Sequence, residues 1–229
     1  MKQSGAVSAV IFDCDGVLVD SERLALEVEL FMLKEIGLVY EQSEYRRRFL
    51  GIPYTTYLAM IAADLATRAG RTLPQDYDAR LSARLRATYE ERLQAVGGAQ
   101  ELTGALTLPK AVASSSKLSP LNWKLEHTGL KAHFGAHIYS TEHVARGKPE
   151  PDLFLFAAEQ LYAQPKTTLV IEDSVNGVLA AKAAGMIAGG FVGGGHCAQG
   201  HADTLTSAGA DIVFASHAEI GAFLGDKAG

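Results

Sequence analysis

The sequence predicts an α/β fold, a doubly wound and mostly parallel β-sheet with an inserted α-helical cap domain. Three observations predict it. A short apolar run near the N-terminus ends in acidic residues, helical periodicity alone fills the region that follows, and short apolar runs alternate with amphipathic segments after Gly97-Gly98. A length of 229 residues favours one core with an insertion over two full domains.

The first predicted strand is the β-rich run from Ala6 to Phe12. It leads directly into the acidic loop Asp13-Cys-Asp-Gly16. A buried parallel strand that ends at a functional loop has this pattern, because helices cover both of its faces and its residues are apolar throughout. This strand therefore starts the core domain.

The predicted cap domain covers residues 21–92. Apolar residues recur there at helical spacing and no strand pattern interrupts them. Breaks that contain glycine or proline fall at Gly37, at residues 51–53 and at residues 70–74, and they divide the region into about four helices.

The rest of the chain alternates between strand and helix patterns. The predicted strands are Lys110 to Ala113, His137 to Tyr139, Thr168 to Ile171 and Ile187 to Val192. The predicted helices are Leu118 to Thr128, Pro151 to Leu161 and Ser174 to Ala184. This alternation predicts a parallel sheet, so the core domain is assigned to residues 1–20 plus 93–229.

Composition excludes several classes of protein. The net charge is −5 and the 21 Lys and Arg residues are spread along the chain, which predicts no nucleic-acid partner. No apolar run approaches the ~20 residues that span a bilayer, so no membrane partner is predicted. Two cysteines are too few for a disulfide framework and no signal-peptide pattern is present, so we expect a cytoplasmic protein.

Chemistry-bearing residues follow four of the predicted strands. The carboxyl ends of parallel strands meet at one edge of a sheet, where helix N-termini can bind an anion. The four loops carry Asp13 and Asp15, then Ser114, Ser115 and Ser116, then Lys148, and finally Glu172 and Asp173. Each acid or hydroxyl alone is explained as a helix cap. Together they predict one crevice that binds phosphate.

A metal site is predicted within this crevice. Two carboxylates as close as Asp13 and Asp15 repel each other unless a cation is present. Oxygen ligands from Asp13, Asp173 and a backbone carbonyl suit Mg²⁺, which also takes water and a substrate phosphate oxygen as ligands.

In order and context the four segments resemble the four motifs of the haloacid dehalogenase superfamily, and the resemblance spans essentially the whole chain. It implies that Asp13 attacks phosphorus to form an aspartyl-phosphate and that Asp15 acts as general acid and base. It also implies that Ser114 and Lys148 stabilise the transferring group. The implied Mg²⁺ ligands are Asp13, the backbone carbonyl of Asp15, and Glu172 and Asp173.

The motif with Asp15 resembles the phosphotransfer members of this superfamily, whereas the dehalogenases have tyrosine at that position. The helical insert resembles the cap of the subgroup with beta-phosphoglucomutase and phosphoglycolate phosphatase. We therefore expect a Mg²⁺-dependent phosphatase for a small phosphorylated metabolite, a sugar phosphate or a phospho-acid. The oligomeric state expected is a monomer or a weak dimer.

A beta-phosphoglucomutase-like mutase is the alternative. Those enzymes resemble this chain but carry a histidine early in the cap and an arginine in the cap loop. This sequence has no histidine before His127, and residues 50–56 contain no arginine. A non-catalytic binding module is less favoured, because every acid, hydroxyl and lysine of the motifs is present.

Several further residues receive expected roles. Gly51, Tyr54 and Thr55 are expected to line the substrate pocket from the cap, and Ser115 and Ser116 from the core. Two histidines near the last predicted strand, His196 and His201, are expected to be surface or loop residues rather than ligands. Cys14 is expected to be a small buried apolar residue.

Overall fold

The fold is built around one parallel sheet. The computed structural model describes residues 6–49, 52 and 54–225. In this part of the chain the sheet has six strands in the spatial order β3-β2-β1-β4-β5-β6, and every neighbouring pair is parallel. The strands are β1 (Ala9–Phe12), β2 (Lys110–Ser114), β3 (Ile138–Ser140), β4 (Thr168–Glu172), β5 (Ile187–Phe191) and β6 (Ile212–Phe214). The predicted α/β class is confirmed.

The central strands are apolar because helices cover both faces of the sheet. All four residues of β1 are buried, and all five residues of β4 are buried. In the strand register Phe12 of β1 is level with Val112 of β2 on one side and with Ile171 of β4 on the other. The residues that follow β1, β2 and β4 therefore emerge side by side.

Eleven α-helices are found in the described residues. They are α1 (Ser21–Glu35), α2 (Gln42–Phe49), α3 (Tyr54–Ala69), α4 (Tyr77–Arg92), α5 (Ala99–Ala105), α6 (Leu118–His127), α7 (Lys131–Phe134), α8 (Asp152–Gln160), α9 (Val175–Ala183), α10 (His201–Ser207) and α11 (His217–Gly225). None of the helices in these ranges is long and apolar enough to cross a membrane.

The chain divides into two compact units. One consists of Met1–Glu22 and Leu93–Gly229 and contains the sheet, and the other consists of Arg23–Arg92. The second unit has a core of its own, in which Tyr45, Ile61 and Tyr77 are almost completely buried. Four helices supply this core because apolar side chains recur at helical spacing in each of them.

Some elements of the sheet unit differ from the prediction. Strand β6 was not predicted, since its three residues are too few to produce a periodic signal. The helices α5, α7, α10 and α11 were also not predicted, and each has nine residues or fewer. Strand β1 begins at Ala9 and not at Ala6.

Candidate functional site

The site lies at the carboxyl ends of the central strands. The chain runs from β1 through β2 to β3 and then returns to place β4 on the other side of β1. Crevices form at such a reversal, because the loops on its two sides leave in opposite directions. Asp13 directly follows β1, and Glu172 is the last residue of the neighbouring strand β4.

A buried lysine joins these two acids. The Lys148 Nζ donates to Asp13 Oδ1 and to Glu172 Oε1, both at 2.6 Å, and to the Ala113 carbonyl oxygen at 2.9 Å. The Lys148 side chain is only 3% exposed. Charge-assisted hydrogen bonds of this kind are strong, and here they fix the ammonium group beside Asp13.

Both oxygens of Glu172 have partners. Oε2 accepts hydrogen bonds from the backbone N–H of Ser174 at 3.0 Å and from the Ser174 hydroxyl at 2.9 Å. The Ser174 Oγ in turn accepts from Gly177 N at 3.0 Å and so caps the start of α9. Glu172 therefore positions Lys148, and its direct ligation of a metal stays a prediction.

The charge balance around Asp13 is unfavourable without a cation. Burial raises the pKa of Asp13 well above its usual range; Lys148 opposes this rise, and Glu172, Asp173 and Asp15 add to it. Burial alone would lower the pKa of Lys148, but the charges of Asp13 and Glu172 raise it above its usual range. The Lys148 ammonium group thus contacts two carboxylates at once, those of Asp13 and Glu172.

The donor set at this position fits Mg²⁺. Asp13, Glu172 and Asp173 are all buried, and one carboxylate oxygen from each lies within 4.8 Å of the others. Hard oxygen donors with excess negative charge are the ligands that Mg²⁺ prefers. A divalent cation here would offset the carboxylate repulsion that adds to the effect of burial on the pKa of Asp13.

Asp15 lies in a separate network of hydrogen bonds. Its Oδ1 accepts from Lys124 Nζ and from the Ser21 hydroxyl, both at 2.5 Å, and its Oδ2 accepts from the Ser116 hydroxyl at 2.7 Å. Lys124 lies on α6 and is largely buried. Burial alone would raise the pKa of Asp15, but the charge and hydrogen bond of Lys124, with those of Ser21 and Ser116, lower it below its usual range.

The predicted serines lie close to this network but differ from one another. Ser114 ends β2, is buried, and its Oγ accepts from the backbone N–H of Ser116 at 3.1 Å. Ser116 binds Asp15, and Ser115 is exposed. The binding of a substrate by Ser115 and Ser116 stays a prediction.

The predicted cap residues belong to the second unit. Tyr54 and Thr55 lie in the first turn of α3, and the Tyr54 hydroxyl donates to Asp78 Oδ1 at 2.5 Å. Gly51 lies outside the described residues. The roles of Tyr54 and Thr55 toward a substrate stay predictions.

His196 lies in a loop, as expected, but not at the surface. This histidine is buried, and its Nε2 lies 2.9 Å from Asp173 Oδ2. The half-buried His201 donates from Nε2 to the Asp173 carbonyl oxygen at 2.6 Å. Burial alone would lower the pKa of His196, but its contacts with Asp173 and Cys197 raise it to about 10. Both histidines follow the glycine-rich residues 193–195, and that local sequence gave no sign of their contacts with Asp173.

Lys124 was also missed by the sequence prediction. It lies ten residues after Ser114, in a helix whose other basic residue, His127, is exposed. Its one available signal was its spacing from Leu121 and its place next to Leu125, which put it on the buried face of the helix. Cys14 is fully buried, as predicted.

Glycine is required at two positions beside the acids. Gly16 has φ +80°, and a Cβ there would lie 2.0 Å from Asp173 Oδ2. A Cβ on Gly177 would lie 1.8 Å from Glu172 Cδ. The first turn of α9 can therefore approach Glu172 only because residue 177 has no side chain.

We expect Gly177→Ala to move the Glu172 carboxylate away from Lys148. The overlap should lower the free energy of unfolding by about 1–3 kcal/mol, as overpacking does in buried sites. The matched change Gly221→Ala in α11 meets no atom closer than 3.5 Å and should stabilise by about 0.5–1 kcal/mol, because alanine favours a helix. Urea denaturation measures both, and equal stabilities of the two variants would contradict the prediction.

Comparison with known proteins places the chain among hydrolases. The family described as haloacid dehalogenase-like hydrolase matches residues 7–185. The chain is 27% identical over 180 residues to 6-phosphogluconate phosphatase of Escherichia coli, and the matched region covers 79% of this chain and 80% of that protein.

Solved structures agree with this placement. A haloacid dehalogenase family hydrolase from Deinococcus radiodurans with bound phosphate and sodium is 37% identical, with a TM-score of 0.83 over 98% of this chain and 97% of that one. A protein from Thermotoga maritima assigned as a beta-phosphoglucomutase is 27% identical, with a TM-score of 0.76 over 96% of this chain and 99% of that one. The similarities extend over nearly the full length of both structures.

Proposed function

Because the chain belongs to the haloacid dehalogenase-like hydrolase family, we propose that it is a Mg²⁺-dependent phosphatase that hydrolyses a small phosphorylated metabolite. The observation that carries this proposal is the contact of the Asp13 carboxylate with Lys148 at the end of β1, with Asp173 beside it and Asp15 two residues further on. These groups supply a nucleophile, a fixed positive charge, a metal ligand and an acid–base group.

Asp13 is the proposed nucleophile. Its carboxylate oxygen attacks the phosphorus, the bond from phosphorus to the leaving oxygen breaks, and an aspartyl-phosphate forms. Lys148 lies 2.6 Å from Oδ1 and reduces the repulsion between this carboxylate and the approaching phosphate. Ser114, the last residue of β2, is the proposed ligand of a phosphate oxygen.

Asp15 is the proposed general acid and base. The hydrogen bond from Lys124 and the lowered pKa favour the ionised carboxylate of Asp15. This form can take a proton from the water that attacks the aspartyl-phosphate. Protonation of the leaving oxygen requires Asp15 to receive a proton first, and approach of an anionic phosphate would favour this by raising its pKa.

Mg²⁺ would be held by Asp13, Asp173 and the backbone carbonyl of Asp15, with Glu172 beside them. When bound, it would neutralise negative charge on the transferring phosphoryl group. Glu172 accepts a hydrogen bond from Ser174 and another from Lys148. It therefore fixes the position of the Lys148 ammonium group whether or not it also contacts the cation.

A sugar phosphate or a phospho-acid is the proposed substrate class. The relative from Escherichia coli that is named for 6-phosphogluconate supports it, because this compound is both a sugar phosphate and an acid. A panel of hexose, pentose and hexitol phosphates, 6-phosphogluconate and phosphoglycolate would identify the substrate.

The proposal is tested by phosphate release from para-nitrophenyl phosphate. We expect hydrolysis with Mg²⁺, loss of activity with a chelator, and recovery when Mg²⁺ is restored in excess. Absence of hydrolysis across the metabolite panel in the presence of Mg²⁺ would overturn the enzyme assignment.

Replacement of Lys124 should impair catalysis without unfolding the protein. Lys124→Met leaves Asp15 with Ser21 and Ser116 but removes the cation, so the pKa of Asp15 rises. We expect kcat to fall by about 10- to 100-fold and the limb of the pH–rate profile that Asp15 controls to move to higher pH. The matched change Lys131→Met removes a partly exposed lysine that pairs with Glu126, and it should alter neither kcat nor the pH–rate profile. An unshifted profile in Lys124→Met would contradict the role of Lys124.

A sugar phosphate mutase is the second candidate. Similarity to the Thermotoga maritima structure assigned as a beta-phosphoglucomutase supports it. The absence of a histidine before His127 and of an arginine at residues 50–56 favours hydrolysis. Incubation with a hexose 1-phosphate and a trace of bisphosphate separates the two, since a mutase forms the 6-phosphate faster than free phosphate.

A further inference from the structure

The segment from the end of β5 to the first residue of α10 brings three nitrogen and sulfur donors together. His196, Cys197 and His201 each offer one ligand atom, and these atoms all lie within 4.8 Å of one another. The Cys197 Sγ is 3.5 Å from His196 Nε2, and His201 is the first residue of α10. No step of the proposed hydrolysis uses these side chains.

The chemistry of this cluster differs from that of the acidic cluster beside it. Two imidazoles and a thiolate are the ligands that zinc and other borderline or soft divalent cations prefer, whereas Mg²⁺ prefers carboxylates and water. Three protein ligands leave a fourth position of a tetrahedron open. The Asp173 carboxylate lies outside this set, 2.9 Å from His196 Nε2.

The cluster is accessible and can adjust at small cost. Cys197 and His201 are half-buried, so a cation can reach them from solvent, while His196 is buried behind them. The buried Nδ1 of His196 has no hydrogen-bond partner in the described part of the chain. The polar contacts that movement of this ring would break are those of Nε2 with Asp173 and Cys197.

We propose that His196, Cys197 and His201 form a binding site for Zn²⁺ or a similar soft divalent cation, separate from the carboxylate cluster of Asp13, Glu172 and Asp173. Occupation of this site draws His196 and His201 away from Asp173. A soft cation is therefore an inhibitor of the neighbouring reaction as well as a ligand, and the inhibitory consequence rests on the proposed function.

Cobalt binding tests the site without any assay of activity. Co²⁺ is titrated into the full-length protein, freed of metal with a chelator, at about pH 8, where fewer protons must leave the ligands. We expect a thiolate-to-cobalt charge-transfer band in the near ultraviolet that saturates at one equivalent, is removed by Zn²⁺ and persists in excess Mg²⁺.

Two cysteine variants make the result specific. Cys197→Ser should lose the band, and Cys14→Ala, which removes the buried cysteine, should keep it, with circular dichroism reporting the fold of both. Absence of the band in the parent protein, or its survival in Cys197→Ser, would overturn the proposal.

Inhibition provides the functional test. In excess Mg²⁺, Zn²⁺ should inhibit phosphate release by the parent protein, and the concentration for half-inhibition should rise at least about tenfold in Cys197→Ser, since one of three ligands is lost. An unchanged concentration would assign the inhibition to displacement of Mg²⁺ and would overturn the inhibitory role. Failure of the cobalt experiment leaves the phosphatase proposal intact, and failure of phosphate release leaves the cobalt result intact.

Discussion

Asp13→Asn is expected to abolish phosphate release and to leave the fold intact. The amide has the shape of the carboxylate but is not a nucleophile, so kcat should fall by about 10⁴-fold or more, as for other lost nucleophiles. Stability should not fall, because the change removes one of several carboxylates that repel each other while Lys148 keeps its contact with Glu172. Steady-state kinetics and urea denaturation measure the two effects.

The control for this variant is Asp203→Asn, which makes the same chemical change at an exposed position of α10. It should keep the activity of the parent. Acid quenching during turnover should trap a phosphorylated protein in the parent but not in Asp13→Asn. Residual activity within about tenfold of the parent would exclude Asp13 as the nucleophile.

Lys148→Met is expected to have the second largest effect, because it removes the ammonium group from a cluster of carboxylates. Loss of one charge that stabilises the transferring group should lower kcat by about 10²- to 10³-fold. Removal of one partner from a buried ion pair should also lower the free energy of unfolding by about 3–5 kcal/mol in the absence of metal. Lys148→Arg keeps the charge and should recover part of both losses.

The loss of stability in Lys148→Met should depend on pH. Lys148 lowers the pKa of Asp13, so its removal raises further a pKa that burial already raises. The folded variant then holds a proton on Asp13 that the unfolded chain releases above its pKa of about 4. The free energy of unfolding therefore falls as the pH rises from about 4 toward the raised pKa of Asp13. The variant should be less stable at about pH 8 than at about pH 5.

Urea denaturation with a chelator at both pH values measures this effect. The chelator is necessary, because Mg²⁺ would replace part of the missing charge. Lys166→Met removes an exposed lysine and should change neither stability nor its dependence on pH. Equal losses for Lys148→Met at the two pH values would show that repulsion around Asp13 does not control stability.

The residues of the sheet that carry chemistry were predicted because each follows a buried apolar run. Asp13 after β1, Ser114 at the end of β2 and Glu172 at the end of β4 have this signal in common, and parallel pairing brings the three strand ends together. The short strand β6 gave no such signal, since its three residues cannot establish a period.

Contacts between distant residues were not predictable in the same way. Lys124 is 109 residues from Asp15 in sequence, and only the packing of α6 against the sheet unit brings its ammonium group to that carboxylate. His196 follows a run of glycines and looked like a loop residue, yet the approach of its loop to Gly16 buries it against Asp173. Neither contact leaves a local pattern.

The sequence by itself determined that Asp13 follows a buried strand and that the segment around it resembles a motif of the haloacid dehalogenase superfamily, because periodicity, turn residues and motif order are properties of local segments. Tertiary structure alone decided which groups surround that carboxylate. Lys148 lies between Asp13 and Glu172, Lys124 holds Asp15, and His196 contacts Asp173. Electrostatic interactions depend on distance in space and on burial, and neither quantity can be read from separation along the chain.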